Sequence, residues 1–156
     1  MNANDLFAAA PELMKKWVAT SLAIAGSLEP TLMRLVEIRA SQINGCANCI
    51  NMHTQEARQK GETEQRIYLL SAWREAPCYT DRERAALAWT EALTRLSEGH
   101  ALAGARETLT ALFTPEEQVK LTLMINIING WNRIAVGFSQ FVDPAEAKAA
   151  AAKAAA

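Results

Sequence analysis

The 156-residue chain, half of it hydrophobic, has the length and apolar content for one domain with a sizeable core and none to spare for a second catalytic domain. Sixteen basic residues against 17 acidic ones leave a net charge of -1 and a pI near 6.1, which gives no electrostatic footprint for nucleic acid or an anionic membrane and favours small neutral substrates or protein partners. No apolar run approaches the roughly 18 residues of a spanning helix and residues 1–10 lack a basic segment ahead of an apolar core, so a cytoplasmic protein is expected.

In chain order, Pro11 suits a first helical turn, and Leu13, Met14, Trp17, Val18, Leu22 and Ile24 follow at helical spacing as far as Gly26. Pro30 opens a second helix with an apolar stripe of Leu32, Leu35, Val36, Ile38 and Ile43, leaving Arg34, Glu37 and Arg39 for polar surroundings; Asn44-Gly45 is its stop signal. A third helix is expected from about Cys46 to Lys60. The next begins at Thr63 and is broken by Ala76-Pro77.

Thr80-Asp81-Arg82-Glu83 has the pattern of a capping box, predicting a helix up to about Gly99, and a short helix is expected over 105–113. Thr114-Pro115-Glu116-Glu117 combines a cap, a first-turn proline and a capping-box glutamate, so a long final helix runs to about Phe138. Ile128-Asn129-Gly130 repeats Ile43-Asn44-Gly45, a hint of two related helical halves, with Trp131 standing where the first copy has Cys46. No strand is predicted. The fold class is all-α: one helical domain over 1–142 and an Ala-rich helical tail over 143–156.

Reactive side chains cluster in one place, Cys46-Ala47-Asn48-Cys49 with His53 four residues on. On a helix starting near Cys46 these three residues fall within an arc of about 60°. The free amides and positive dipole end at a helix start stabilise a thiolate. Three cysteines are too few and too odd in number for a secreted disulfide scaffold, so the pair reads as catalytic or metal-binding in a reducing compartment. Redox chemistry is the leading reading. A zinc site would need a fourth ligand, for which only the isolated Cys78 and His100 are available, and the remaining alternative is two small buried cysteines beside a core histidine. Haem attachment is excluded, because Ile50 rather than histidine follows the second cysteine.

The segment from Leu35 to His53, with Arg84-Ala85-Ala86-Leu87-Ala88-Trp89-Thr90-Glu91 and Asn129-Gly130-Trp131-Asn132-Arg133, resembles the alkylhydroperoxidase D-like (AhpD-like) branch of the carboxymuconolactone decarboxylase family. The likeness runs from Pro30 to about Phe141. It implies an all-helical, oligomeric protein, commonly a trimer or hexamer, with thiol-dependent peroxidase or disulfide reductase activity in antioxidant defence. It also implies a hydroperoxide substrate, a dithiol or disulfide-reductase electron donor, and no cofactor or metal. By the same resemblance Cys49 is the peroxidatic nucleophile and Cys46 the resolving thiol that meets the reductant, with His53 placed to take the proton. Helix electrostatics alone favours Cys46, nearest the helix start, as the lower-pKa thiol.

One departure stands out. Related sequences carry a relay glutamate twelve residues before the first cysteine, where this chain has Arg34. Glu37, one turn later, is the candidate replacement, with Glu91 as a second; the alternative readings of Glu37 are a solvated surface carboxylate or a partner for Arg34. Two other functions remain open: a lyase of the decarboxylase type, which needs no thiol pair, and a non-enzymatic redox sensor switched by the same disulfide.

Overall fold

The computed structural model describes residues 3–99 and 102–141. His100 and the Ala-rich tail over 143–156 lie outside the described residues. Eight α-helices occur among those described, with no strand: α1 (Ala3–Ala9), α2 (Pro11–Ala25), α3 (Pro30–Asn44), α4 (Ala47–Gln59), α5 (Glu64–Leu69), α6 (Asp81–Thr94), α7 (Leu102–Leu112) and α8 (Pro115–Gly137). No helix among them is long and apolar enough to cross a membrane.

α3 is the central element because both of its flanks are apolar. Leu32, Met33, Val36 and Ala40 pack with Leu109 and Phe113 of the α7 region and with Leu121, Met124, Ile125 and Ile128 of α8. Leu35 and Ile38 turn the other way, onto Ile67, Leu70, Trp73, Tyr79 and Leu87. Between the two clusters runs a polar stripe, Arg34, Glu37, Ser41 and Asn44, at the spacing of one helix face. Glu37 and Ser41 are buried in it, so a solvated surface position for Glu37 is ruled out, whereas its pairing with Arg34 is present.

The ends of the helices follow local chemistry. Thr80 and Thr114 each accept from the N3 amide while Glu83 and Glu117 reach back to the cap amide, completing the two predicted capping boxes. Other boundaries shift. α1 was not legible in the sequence. α5 ends at Leu69, followed by a 3₁₀ turn over Leu70–Ala72 and an irregular stretch to Pro77, and α6 stops at Thr94 before a second 3₁₀ turn, Leu96–Glu98. The stretch after α5 is fastened by Arg84, whose guanidinium donates to the carbonyls of Trp73, Arg74, Ala76 and Tyr79. Four side chain to backbone bonds satisfy carbonyls that a longer helix would have paired internally.

α2 lies across α8. Its Trp17 ring approaches Gly130 so closely that a Cβ there would sit 2.6 Å from Cζ2, and it contacts Trp131 with ring centroids 5.9 Å apart. Trp131 Nε1 donates to Ser21 Oγ at 3.0 Å. The absence of a side chain at Gly130 therefore sets where α2 rests.

Candidate functional site

The site begins at the joint between α3 and α4. Gly45 takes the left-handed conformation, φ 65°, that ends α3, and the Cys46 amide returns to the Ser41 carbonyl at 3.0 Å. Cys46 is then extended and serves as the N-cap of α4, not its first helical residue: its Sγ accepts from the Cys49 amide at 3.3 Å. The two cysteines, with Cα atoms 5.4 Å apart, form a disulfide. Their sulfurs are sheltered, at 1% and 2% exposure, beside Ala135 of α8.

A cavity of about 370 Å³ opens on this joint. Cys49 lines it and Cys46 does not. One end is polar, formed by Arg34, Glu37, His53 and Glu56; the walls are apolar, with Leu22 and Ala25 from α2, Met52 from α4, and Met124, Ile127, Ile128, Trp131 and Ile134 from α8. The structure thus brings Cys49, His53 and Glu37 to one cleft, with Cys46 directly behind.

His53, 6% exposed, is held through Nδ1, which lies 3.1 Å from Glu56 Oε2 and 3.3 Å from Glu37 Oε2. Arg34 Nη1 joins the group, 2.5 Å from Glu37 Oε2, 2.8 Å from Glu56 Oε2 and 3.3 Å from His53 Nδ1. The two carboxyls are driven apart in acidity. Burial pushes Glu37 above the ordinary carboxylate range against the lowering pull of His53 and Arg34, while its hydrogen bond with His53, aided by Arg34, holds Glu56 below that range against its own partial burial. The more acidic Glu56 and the less acidic Glu37 thus face one imidazole nitrogen.

Glu37, His53 and Glu56 also form a group of possible metal ligands, their donor atoms within 4.8 Å of one another. The guanidinium of Arg34 stands against all three, so the place of a cation is taken by the chain's own positive charge. The zinc set considered from the sequence loses its two thiolates to the disulfide in this state.

Glu91 is elsewhere. It accepts from Trp73 Nε1 and Arg39 Nε, each at 2.8 Å, and from Arg74, forming a buried joint between α3, α6 and the stretch after α5. Burial opposes its ionisation, but these three donors together keep it below the ordinary range. It lines no part of the cysteine cavity. Cys78, a free and partly buried thiol, is likewise outside it. Glu56 escaped the sequence reading, although its position three residues after His53 puts it on the same helix face. The cavity walls contributed by α2 and α8 were also missed.

Behind the disulfide, the repeated Ile-Asn-Gly copies meet. Asn44 Nδ2 donates to Asn129 Oδ1 at 2.9 Å and to Asn132 Oδ1 at 2.8 Å, and Asn132 Nδ2 donates to Ser41 Oγ at 2.9 Å. These bonds fix the C-terminal end of α3, and with it the start of α4, against α8.

With this geometry in place, the pattern of the carboxymuconolactone decarboxylase family matches residues 11–92. The chain belongs to the carboxymuconolactone decarboxylase family. Its match takes in α2, which the sequence resemblance had left outside. YdfG of Bacillus subtilis, an uncharacterized protein, is 44% identical over 110 residues, 70% of this chain and 75% of that one. A crystal structure from Agrobacterium tumefaciens, of a protein of unknown function proposed to be the antioxidant defence protein AhpD, is 47% identical. It superposes with a TM-score of 0.83 over 88% of this chain and 97% of that one, which makes the family member in hand AhpD-like. The debrominase Bmp8, 17% identical with a TM-score of 0.78 over 91% and 77% of the two chains, shares the fold.

Proposed function

We propose that the protein is a thiol-dependent peroxidase in which Cys49 attacks the hydroperoxide and Cys46 resolves it. The observation that carries this reading is the bonded Cys46–Cys49 pair at the start of α4, with only Cys49 opening on a cavity that also holds His53 and Glu37. His53 takes the Cys49 proton. The thiolate attacks the outer peroxide oxygen, the O–O bond breaks, and the departing alkoxide takes the proton held by His53, with Glu37 beside the imidazole as the relay carboxyl. Cys46 then attacks the Cys49 sulfenic acid, releasing water and closing the disulfide.

An external dithiol supplies the two electrons that reopen the pair and is itself oxidised to a disulfide. Because Cys49 and not Cys46 lines the cavity, a reductant entering there meets Cys49 rather than Cys46, the thiol the resemblance implied, and releases Cys46, whose thiolate is stabilised by the Cys49 amide it accepts from. The apolar walls favour a hydroperoxide carried on an apolar body over a small polar one. The need for reducing equivalents supports work in the cytoplasm. Exposed Leu96, Val119 and Leu123 support assembly into a homo-oligomer, a trimer or hexamer in the family pattern.

The test is hydroperoxide consumption with a dithiol reductant by wild type, Cys46→Ser and Cys49→Ser. Cys49→Ser should abolish turnover, and Cys46→Ser should permit one sulfenic acid per chain without cycling. Turnover unaffected by Cys49→Ser would reject the thiol mechanism in favour of lyase-type chemistry.

A further inference from the structure

We propose that Glu56 and Arg34 are a positioning pair for His53: Glu56 accepts the proton-bearing Nδ1, so that the Nε2 lone pair is the one left for the thiol. The proposal rests on the cleft being a thiol site, as read above, and adds to it two residues and a defined state of the histidine.

His53 Nδ1 faces three polar groups, two carboxyl oxygens and one guanidinium nitrogen. Arg34 Nη1 carries two N–H groups and no acceptor. It donates to Glu37 Oε2 at 2.5 Å and is ion-paired with Glu56 Oε2 at 2.8 Å. It also stands 3.3 Å from His53 Nδ1, a longer contact than either. A bare Nδ1 lone pair would gain only that long contact while facing carboxyl oxygens at 3.1 and 3.3 Å, whereas an Nδ1–H donates to the first of them. The nearer belongs to Glu56, the more fully ionised of the two and so the better acceptor. The neutral imidazole is thereby held as the Nδ1–H tautomer, with Nε2 free to act as base.

The pair is suited to a positioning role by its placement. Glu56 reaches His53 from the next turn of α4 and is partly open to water, with 37% of its side chain exposed, so its negative charge is cheaper to hold than one on Glu37, 4% exposed. Arg34 comes from α3 and ties the two helices at the point where the imidazole must not rotate. The other charged or titratable groups lining this cavity are Glu37 and Cys49; the faces presented by α2 and α8 are apolar apart from Ser21.

The experiment is nitrogen NMR of protein labelled at histidine. The chain has two histidines, so a His100→Gln background leaves His53 alone. In wild type the neutral ring should show a protonated Nδ1 and an unprotonated Nε2. Glu56→Ala should shift the ring toward the other tautomer and slow iodoacetamide alkylation of Cys49, measured in reduced protein lacking Cys46 and Cys78 thiols, by about tenfold or more. Glu56→Gln, whose amide oxygen still accepts, should keep the tautomer and recover most of the rate. A wild-type ring protonated at Nε2, or a folded Glu56→Ala protein with unchanged tautomer and alkylation rate, would overturn the proposal. Absence of peroxide turnover in a wild type showing the expected tautomer would instead reject the peroxidase reading and leave the positioning pair standing.

Discussion

Gly130→Ala offers a sharp test of how the cavity is built. An added Cβ would lie 2.6 Å from Cζ2 and 2.8 Å from Cη2 of Trp17, about 1 Å inside ordinary carbon contact. The ring cannot simply swing aside, since its neighbour is Trp131, whose indole is itself tied to Ser21. Overpacking of this kind costs about 1–3 kcal/mol. Alanine in place of glycine inside a helix returns about 1 kcal/mol. The expected balance is a loss of up to about 2 kcal/mol, which for a chain of this size lowers Tm by up to roughly 4–8 °C. Because Trp17 carries α2, and α2 supplies Leu22 and Ala25 to the cavity wall, KM for an apolar hydroperoxide should rise while Cys49 alkylation stays near wild type. Thermal melts and steady-state kinetics on one preparation decide it. A variant as stable as wild type, or more so, with unchanged KM would refute the claim that the bare backbone at Gly130 seats α2.

Two further predictions concern the polar end of the cavity. The Glu37 carboxyl titrates higher in the folded protein than the ordinary 4.5, so its contribution favours folding in acid and is lost as pH rises from 4.5 through the folded value. Glu37→Gln should therefore gain stability relative to wild type across that window and hold the gain above it, as followed by urea denaturation at stepped pH; a constant difference would contradict the burial argument. Arg34→Ala should leave Glu37, His53 and Glu56 without their internal cation and so create a site for one divalent ion, detectable by calorimetry with Zn²⁺ or Mn²⁺. Equal binding by wild type would show that the guanidinium does not occupy that place.

Much of the framework was legible because it is local. Thr80, Thr114, Pro30 and Gly45 act within a turn of themselves, and their signals survive folding unchanged. Cys46 shows where local reading stops: a helix starting near it was foreseen, yet the residue is the cap, since its backbone follows the left-handed turn at Gly45. α5 was overextended because Arg84, far along the chain, satisfies the carbonyls that a continued helix would have paired. Glu37 was a candidate from spacing alone, and Glu91 was the second candidate until its own burial and its three donors placed it in a structural joint. The seating of Trp17 on Gly130 joins residues more than a hundred apart, and no periodicity encodes it. For the same reason α2 could not be recognised as a wall of the site.

The placement of α3 between two apolar clusters has a consequence for how such a protein can change over generations. A helix gripped on both flanks has no free rotation, and its remaining stripe carries Arg34, Glu37, Ser41 and Asn44. Any substitution that repacks either cluster must turn or slide this stripe, shifting Arg34 and Glu37 against His53 and Asn44 against α8 together. Core and reactive centre therefore share one tolerance. Variation that alters the chemistry gently is confined to wall positions outside both clusters, such as Leu22 of α2 and Ile134 of α8, where side chains can be exchanged without moving the groups around the thiols.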